Sequence, residues 1–248
     1  MGLPPELAFV FGETESVFHR TRVIARALIA ENTLALTIEK PGGFQYEACA
    51  ATMVFIPGAQ AEDSKEFTLA SAPYESDLMI AMRIRGSAFK NACYRLKPGD
   101  SIMVRDASGS PYAHSGGPEV WLSGGIGITP FRSLLRQRIH DHASLDIVHI
   151  HSDSSPASVP FAAEFKAASS THAMYRFLIT LTSESAHGLL KGRISAAMIR
   201  THAPQYAASA FTVVGTDSFV GAMRVMLGEL GVSADRIRTE RFEGYKTS

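Results

Sequence analysis

The sequence predicts a two-domain protein in which an antiparallel β-barrel precedes an α/β domain with a parallel sheet. The chain has 248 residues, enough for two domains of ordinary size. Short strand-like segments separated by turns fill its first part, and strand-like and helix-like segments alternate after it. A hydrophobic fraction of 46% gives each part enough apolar residues for a core. We therefore predict one domain over residues 1–115 and a second over residues 116–248.

The barrel is predicted from six segments rich in Val, Ile, Thr and Phe, several of which alternate polar and apolar residues. Turn sequences such as Pro41-Gly42-Gly43 and Pro98-Gly99-Asp100 separate them. Short strands at such spacing favour a six-stranded antiparallel barrel. The strands are predicted at residues 20–29, 33–40, 51–58, 66–72, 77–85 and 101–107, with one helix at 87–96.

The α/β domain is predicted from five strand-like segments that alternate with four helix-like ones, after a linker at residues 114–119. This alternation is typical of a doubly wound parallel five-stranded sheet with right-handed crossovers. Ligands of such sheets bind beyond the carboxyl ends of the strands, where the strand order reverses. The strands are predicted at residues 120–124, 145–152, 175–182, 210–216 and 236–242, and the helices at 129–142, 159–169, 194–203 and 218–231.

Composition argues against several classes of protein. Lys plus Arg and Asp plus Glu both number 24, and this balance disfavours a nucleic-acid-binding protein. Two cysteines, Cys49 and Cys93, cannot by themselves build a zinc site or a four-cysteine iron–sulfur cluster, and free thiols fit a reducing compartment. The chain shows neither a signal-peptide pattern nor an apolar run of about 18 residues. We expect a cytoplasmic protein with no metal and no integral membrane segment.

The stretch "LSGGIGITP" joins the first strand of the second domain to the helix that follows. Its glycines Gly124, Gly125 and Gly127 lack a Cβ, so they permit positive φ and the close approach of a ligand. Thr129 is expected to cap the helix, and Pro130 suits its first turn. Free N–H groups at such a helix start would bind a phosphate. The alternative is an ordinary strand–helix turn without a ligand.

Four stretches, in this order, resemble motifs of the ferredoxin–NADP reductase superfamily. They are "KEFT" at residues 65–68, "GSAFKN" at 86–91, "GGIGITP" at 124–130 and the segment from Val213 to Tyr245. The resemblance extends from about residue 18 to 245. It implies an FAD-dependent oxidoreductase that transfers a hydride from NAD(P)H to FAD and passes electrons to a separate acceptor.

The resemblance assigns the flavin to the barrel. It implies that Lys65 stands where an arginine holds the flavin phosphate, that Phe67 replaces a tyrosine on the flavin ring, and that Thr68 lies near flavin N5. The helix that Ser87 is expected to cap would cradle the pyrophosphate, which indicates FAD rather than FMN. An exposed lysine on a buried strand and an ordinary amphipathic helix are the alternatives. The other residues expected at the cofactor are Glu66, Met82, Ile84, Ala88, Phe89, Lys90 and Asn91.

The resemblance also assigns the nicotinamide dinucleotide to the second domain. Its pyrophosphate would lie at the glycine turn, and Gly215 would lie close to the cofactor. Val214 stands where the family usually has a cysteine, which is expected to alter the geometry of hydride transfer. Glu240 is the second expected catalytic residue, together with Thr68, and Phe242 or Tyr245 would cover the flavin.

Asp153, at the end of the second strand of this domain, bears on the choice of nucleotide. A carboxylate there accepts from a ribose 2′-hydroxyl, so Asp153 favours NADH over NADPH. A solvated loop position is the alternative for Asp153. Binding of NADPH would instead need a side chain that contacts its 2′-phosphate. The candidates are His149, His151, Arg176 and Arg193.

The sequence does not identify the electron acceptor. A ferredoxin, another iron–sulfur or heme protein, and a small molecule are all compatible with the sequence. A basic stretch could meet an acidic carrier, although flavin-phosphate contacts together with ordinary surface charge are the favoured explanation for it. The competing hypothesis is a flavoprotein adaptor subunit that does not turn over NAD(P)H. The basic residues are Arg83, Arg85, Lys90, Arg95 and Lys97.

Three groups of residues are expected outside the chemistry. His149 and His151 share one face of a strand, and a position facing solvent or ligand is favoured over a metal site. Cys49 and Cys93 are expected to be core or half-buried thiols. Trp121 is expected to pack within the first strand of the α/β domain.

Overall fold

The first unit of the fold is a six-stranded antiparallel sheet. The computed structural model describes residues 18–57, 64–109 and 116–242. The chain divides into two compact units between residues 110 and 111. The elements of the first unit are β1 (Phe18–Ala30), β2 (Thr33–Glu39), β3 (Ala51–Phe55), β4 (Lys65–Thr68), β5 (Asp77–Arg83), α1 (Ala88–Arg95) and β6 (Ser101–Arg105).

The sheet has the strand order β4-β3-β6-β1-β2-β5, and its two edges are joined. Just beyond β4, the N–H of Ala70 donates to the carbonyl of Met79 in β5 over 2.7 Å. The N–H of Met79 in turn donates to Ser71 Oγ over 3.0 Å. Because these bonds connect the two edge strands, they close the sheet into the predicted barrel and leave less edge unpaired.

The barrel core follows the two-residue period of its strands. On β2, the side chains of Leu34, Leu36 and Ile38 are all fully buried. They join a cluster that includes Met82 of β5 and Phe89 of α1. The predicted six strands and one helix of this domain are confirmed.

The second unit is a parallel sheet of six strands with helices between them. The five predicted strands and four predicted helices are present. The strands are β7 (Glu119–Gly124), β8 (Ile147–Asp153), β9 (Tyr175–Leu181), β10 (Leu190–Lys191), β11 (Ala210–Thr216) and β12 (Ile237–Phe242), in the order β10-β9-β8-β7-β11-β12. The helices are α2 (Thr129–His140), α3 (Ala162–Thr171), α4 (Ala196–His202) and α5 (Asp217–Glu229), with short 3-10 helices at Gly125–Ile128, Pro156–Ser158 and Ala234–Arg236.

The sixth strand, β10, is the main departure from the predicted five-stranded sheet. It has two residues, too few for an alternating pattern to reveal it. It pairs in parallel with the end of β9. Next to it, Gly192 donates to the Leu181 carbonyl over 2.7 Å, and the Thr180 hydroxyl donates to the Gly192 carbonyl over 2.6 Å.

Two predicted boundaries also shift. Glu119, predicted in the linker, is the first residue of β7 and is buried. The second of the predicted strand–helix connections is longer than expected on the helix side, since Phe161 has a positive φ of 56° and α3 begins only after it. A left-handed residue interrupts helical geometry, so the helix predicted from residue 159 starts at Ala162.

The two faces of the parallel sheet differ in chemistry. One face carries aliphatic side chains such as Val120 and Ile150, which pack with Ile199 of α4 and Val220 of α5. On the opposite face, Trp121 stacks on Phe131 of α2 with ring centroids 5.0 Å apart. There His149 meets Phe165 of α3 edge-on at 5.2 Å. Since neighbouring strand residues point to opposite faces, both faces are covered, as in a doubly wound fold.

A buried ion pair anchors the amino end of β7 to α2. Arg138 Nη1 lies 2.9 Å from Glu119 Oε1, and Nη2 donates to Oε2 over 3.2 Å. Trp121 Nε1 donates to the same Oε2 over 2.9 Å, and the guanidinium lies 5.3 Å from the Trp121 ring centroid. Both charged side chains are at most 7% exposed, so each depends on the other for solvation. Trp121 is fully buried in β7, as predicted.

In the part of the chain that the structure describes, no helix has the length and apolar character needed to cross a membrane.

The buried pair predicts a large asymmetry between two arginine variants. Arg138→Met leaves the Glu119 carboxylate buried without its cation, and we expect a loss of about 3–5 kcal/mol in the free energy of unfolding. Arg22→Met is the matched control, because the Arg22–Glu39 pair is 63% and 43% exposed. Its loss is expected to stay below about 1 kcal/mol. Urea denaturation measures both, and similar small losses would contradict the dependence of the buried Glu119 carboxylate on Arg138.

Cys93 provides a test of burial in the barrel. Burial raises the pKa of its thiol to about 12, so the thiol stays protonated, and unreactive, throughout the neutral and mildly alkaline range. Cys49 is also buried. We expect iodoacetamide at pH 8 to modify neither residue in the folded protein and both in guanidinium chloride, as read by mass spectrometry. Rapid labelling of Cys93 in the native protein would refute this packing.

Candidate functional site

The glycine stretch after β7 is itself helical. Gly125–Ile128 forms a 3-10 helix that runs directly into α2. Of the three predicted glycines, Gly125 has a positive φ of 54°, whereas Gly124 is extended with a φ of −122°. The conformational freedom of glycine is therefore used at Gly125.

The other two glycines make room for the protein itself. A Cβ on Gly127 would lie 2.5 Å from the Val214 carbonyl oxygen of β11. A Cβ on Gly124 would lie 2.9 Å from the Phe219 ring, and one on Gly215 would lie 2.6 Å from the same ring. The Phe219 side chain thus lies between Gly124 and Gly215. Packing within the unit accounts for the missing side chains at these positions, for which a close ligand had been expected.

The predicted cap at Thr129 is wrong. Thr129 has helical angles, φ −55° and ψ −49°, and its buried hydroxyl donates to the Ile126 carbonyl over 2.8 Å. The reason is that the chain turns helical at Gly125, one turn before the predicted start. Pro130 does lie in the first turn of α2, as predicted.

The turn lies at the topological switch point of the sheet. β7 is followed along the chain by its neighbour β8, and the later strand β11 lies on its other side. The carboxyl ends of β7 and β11 therefore flank a crevice of the type in which α/β proteins bind nucleotides. Gly124, Gly125 and Ile126 are half-buried at this edge. The first N–H groups of a helix have no intrahelical acceptor, so this turn presents donors suited to a diphosphate.

Asp153 ends β8 at the same edge, and its carboxylate is engaged by its own turn. Oδ1 accepts from the Ser154 N–H over 2.9 Å and from Ser158 Oγ over 2.7 Å. Oδ2 lies 3.5 Å from His151 Nε2. The side chain is 8% exposed, which differs from a solvated loop position. Its charge therefore stands at the edge of the sheet, with both oxygens committed to neighbouring groups.

His149 and His151 are fully buried, so the expectation of a solvent-facing position is wrong. Ser123 Oγ lies 2.7 Å from His149 Nε2 and 2.8 Å from His151 Nδ1. His149 Nδ1 lies 3.0 Å from the Tyr175 hydroxyl. Burial holds the pKa of His149 well below its usual range, with the neighbouring His151 adding to the effect, and burial raises the pKa of Tyr175. Both groups are therefore neutral at physiological pH.

No metal-binding group of three His, Cys, Asp or Glu side chains occurs in the described ranges.

The last strand places the two remaining C-terminal candidates beside β11. Glu240 pairs with Val214, and Phe242 pairs with Thr216. Both side chains are half-buried, and because they are two residues apart on a strand they share a face. The alternative aromatic residue, Tyr245, lies outside the described residues.

In the barrel, two of the motif stretches come together. The half-buried ring of Phe67 in β4 stacks on Phe89 of α1, with centroids 5.9 Å apart and 25° between the planes. Lys65 and Glu66 are exposed, and Thr68 is buried. Ser87 caps α1 as predicted, accepting from the Lys90 N–H over 3.2 Å.

Several other barrel candidates have structural tasks. The side chains of Met82 and Phe89 are buried in the core, so they would meet a ligand only through backbone atoms. Ile84 is half-buried, and its N–H donates to the Asn32 carbonyl over 2.8 Å. Asn91 Nδ2 donates to the Gly86 carbonyl at the start of α1 over 3.4 Å.

Arg83 does not belong to a basic surface. It is buried and donates to the Glu31 carbonyl over 3.0 Å and to the Thr33 hydroxyl over 2.7 Å. The remaining members of the basic stretch are exposed or half-buried, namely Arg85, Lys90, Arg95 and Lys97.

Comparisons with known proteins agree with both units. Residues 121–224, from β7 into α5, match the family of oxidoreductase NAD-binding domains. The FAD/NAD-binding domain of a nitric oxide dioxygenase from Vibrio cholerae superimposes with a TM-score of 0.81 at 18% identity, covering 91% of this chain and 98% of that one. A ferredoxin NADP+ reductase from Neisseria gonorrhoeae superimposes with a TM-score of 0.77 at 19% identity, covering 92% of this chain and 99% of that one, so the chain has the ferredoxin–NADP reductase fold. The fold that the resemblance implied is thereby confirmed.

Two curated relatives extend the similarity along the chain. An NADPH oxidoreductase of Mycobacterium tuberculosis is 24% identical over 239 residues, which are 92% of this chain and 61% of that protein. A ferredoxin–NADP reductase B of Sorangium cellulosum is 24% identical over 240 residues, which are 90% of this chain and 96% of that protein. This chain thus spans nearly all of one relative and under two thirds of the other.

The residues present fit the cofactors associated with this reductase fold. In the barrel, the start of α1 leaves the N–H groups of Ala88 and Phe89 without intrahelical acceptors, and Ala88 is exposed. The exposed ammonium group of Lys65 would add positive charge for a flavin diphosphate, and the half-buried ring of Phe67 would offer an apolar surface to the flavin ring. In the α/β unit, the helical turn at Gly125 supplies donors for a second diphosphate.

Phe219, Ser123 and Tyr175 were not foreseen from the sequence. The sequence did contain a signal for the polar residues Ser123, His149 and His151. Parallel strands buried on both faces are normally continuous apolar runs, so polar residues within them are unusual. Polar residues at alternate positions of β7 and β8 indicate a shared polar line on one face. Phe219 had no such signal, because its contact with Gly124 and Gly215 joins distant parts of the chain.

Gly127→Ala tests the contact between the turn and β11. Its Cβ would lie 2.5 Å from a backbone oxygen, a distance that neither partner can relieve by rotating a side chain. We expect a loss of about 1–3 kcal/mol in the free energy of unfolding. Gly221→Ala in α5, where a Cβ meets nothing within 4 Å, is the control and is expected to gain about 0.5–1 kcal/mol. Equal stabilities in thermal or chemical denaturation would disprove the contact.

Proposed function

We propose that the protein is an FAD-dependent oxidoreductase that takes a hydride from NAD(P)H and passes electrons to a separate acceptor. One observation carries the proposal. A helical turn begins at the topological switch point of a unit that matches oxidoreductase NAD-binding domains, in the same chain as a closed barrel. The resemblance between this chain and proteins named as reductases supports the same conclusion.

The barrel residues would hold the flavin. Lys65 and the N–H groups at the start of α1 neutralise the diphosphate, and Phe67 provides an apolar surface for the ring system. Thr68 offers a hydroxyl at the end of β4. When bound, FAD supplies the capacity to accept a hydride and to release its electrons one or two at a time.

The α/β residues would orient the nicotinamide dinucleotide. Gly125 and the N–H groups of its turn bind the pyrophosphate, which fixes the dinucleotide over the crevice. Phe242, at the end of β12, offers an apolar aromatic surface. Glu240, two residues earlier on the same face of the strand, supplies a carboxylate. The protein's part is to orient the reactants and to exclude water, since the redox chemistry belongs to the cofactors.

Asp153 favours NADH as the donor. Its oxygens are engaged by Ser154, Ser158 and His151, so the carboxylate acts less as an acceptor for a ribose hydroxyl than as a fixed negative charge. A negative charge at this edge repels the 2′-phosphate of NADPH. The exposed basic residues near α1 would suit an acidic electron carrier, such as a ferredoxin.

A second candidate function is a flavoprotein subunit that passes electrons within a complex without oxidising NAD(P)H. Two observations favour it: Val214 replaces the cysteine usual in the family, and the Phe219 ring fills the space between Gly124 and Gly215. Both lie at the carboxyl end of β11, beside the proposed dinucleotide crevice.

An anaerobic titration distinguishes the two candidates. The purified protein is expected to show flavin absorption bands that NADH bleaches at lower concentration than NADPH. Asp153→Asn removes the negative charge and is expected to narrow this difference, whereas Asp141→Asn, at an exposed carboxylate after α2, should leave it unchanged. Bands that persist with both nucleotides would favour the adaptor. A colourless protein that does not rebind FAD would refute both candidates.

A further inference from the structure

A line of buried polar groups crosses the α2/α3 face of the parallel sheet and ends at the proposed nucleotide edge. It runs from Tyr175 at the start of β9, through His149, Ser123 and His151, to Asp153 at the end of β8. The first four side chains are fully buried. Three hydrogen bonds join Tyr175, His149, Ser123 and His151, and the last step, from His151 Nε2 to the Asp153 carboxylate, is a charge–dipole contact across 3.5 Å. Because a buried polar group without a partner is costly, the direction of each hydrogen bond constrains the next.

The Asp153 carboxylate determines which nitrogen of His151 carries the proton. An ionised Asp153 can only accept, and its Oδ2 lies 3.5 Å from His151 Nε2. A nitrogen lone pair turned toward an anion would be repelled, so Nε2 carries the proton. We take the fully buried ring of His151 as neutral, because a charged ring would donate from both nitrogens, and Ser123 would then have to donate to His149 and leave the Tyr175 hydroxyl proton without an acceptor among these contacts. With its proton on Nε2, His151 has a bare Nδ1, which accepts from Ser123.

The remaining steps follow from the single proton of the serine hydroxyl. Since Ser123 donates to His151, it must accept from His149 Nε2 at 2.7 Å. His149 is neutral, so its Nδ1 is bare and accepts from the Tyr175 hydroxyl at 3.0 Å. Every group therefore donates toward Asp153.

The reverse direction is unfavourable for two reasons. It requires a proton on His151 Nδ1, and with Nε2 also protonated against the carboxylate this places a cation in the core. It also turns His149 Nδ1–H toward Tyr175. The Tyr175 hydroxyl proton would then lack an acceptor among the contacts of the described residues.

We infer that Tyr175, His149, Ser123 and His151 are positioning residues that hold the Asp153 carboxylate in its orientation at the nucleotide edge, and so set the choice between NADH and NADPH. The Nε2–H of His151 stabilises one carboxylate oxygen, which leaves the other to bind the Ser154–Ser158 turn. The claim about nucleotide choice rests on the proposed function, whereas the direction of the hydrogen bonds does not.

The direction is tested first, without nucleotide, by ¹⁵N nuclear magnetic resonance of the histidine rings. In the native protein, His149 and His151 are both expected to be neutral with the proton on Nε2. In Asp153→Asn, the amide oxygen takes the place of Oδ1, so the amide N–H faces His151 Nε2. Two donors cannot face each other, and we expect the His151 proton to move to Nδ1.

Asp141→Asn is the control for that measurement and is expected to leave both rings unchanged. The inference is overturned if His151 keeps its Nε2 proton in Asp153→Asn. It is equally overturned if either ring of the native protein carries its proton on Nδ1 or is charged at neutral pH.

The effect on nucleotide choice is tested by equilibrium binding of NADH and NADPH to the flavin-loaded protein. Ser123→Ala interrupts the line. It is expected to reduce the ratio of the NADPH dissociation constant to the NADH dissociation constant by about threefold to tenfold. The same substitution added to Asp153→Asn should have no further effect. Ser209→Ala, which removes another buried hydroxyl, one that donates to the Gln205 carbonyl, is the control and should leave the ratio unchanged.

The outcomes separate the two claims. If Ser123→Ala lowers the ratio equally with and without Asp153, or not at all, the line does not act through the carboxylate and the inference fails. If the native protein binds neither nucleotide, the proposed function fails and the role in nucleotide choice fails with it, while the ring resonances still decide the direction of the hydrogen bonds.

Discussion

The contact between Gly127 and the Val214 carbonyl is the constraint on which the second unit depends. Without a Cβ at residue 127, the turn after β7 can lie directly against the backbone of β11. That contact lets the chain become helical at Gly125, before α2 begins, and it brings the first N–H groups of the helix to the point where the strand order reverses. The donors for a diphosphate are thus a consequence of how tightly the turn packs on its neighbouring strand.

Both faces of the parallel sheet are buried, but they are packed with different kinds of side chain. The α4/α5 face is aliphatic and needs only complementary shapes. The α2/α3 face buries an ion pair at Glu119 and a line of hydrogen bonds through Ser123, each of which must be satisfied internally. Such a face tolerates fewer arrangements, because a small displacement leaves a donor or acceptor unpaired. We therefore expect the edge near Asp153 to be more rigid than aliphatic packing alone would make it.

Periodicity predicted the six barrel strands and the five longer strands of the α/β unit, because each is long enough to show its pattern. It did not reveal β10, whose two residues are held by bonds from Gly192 and Thr180. It placed the helix cap at Thr129, because cap propensity is local and the close packing of Gly127 on Val214 is not. The candidates around Lys65 and Ser87 came from motif resemblance, while Phe219 and the polar line became visible only when distant strands were brought together.

The glycine stretch shows why a motif can indicate a fold without describing its ligand contacts. Two of its glycines, Gly124 and Gly127, are required by atoms of the protein, and the turn would need them even without a nucleotide. The residue that we propose to discriminate between nucleotides lies elsewhere, at the end of β8, where the side chain of Asp153 stands at the edge of the sheet. Behind that side chain lies His151, whose other ring nitrogen is 2.8 Å from Ser123 Oγ. Turn geometry can therefore be shared by the reductase fold, while the proposed choice of dinucleotide would depend on the buried side chains behind the edge.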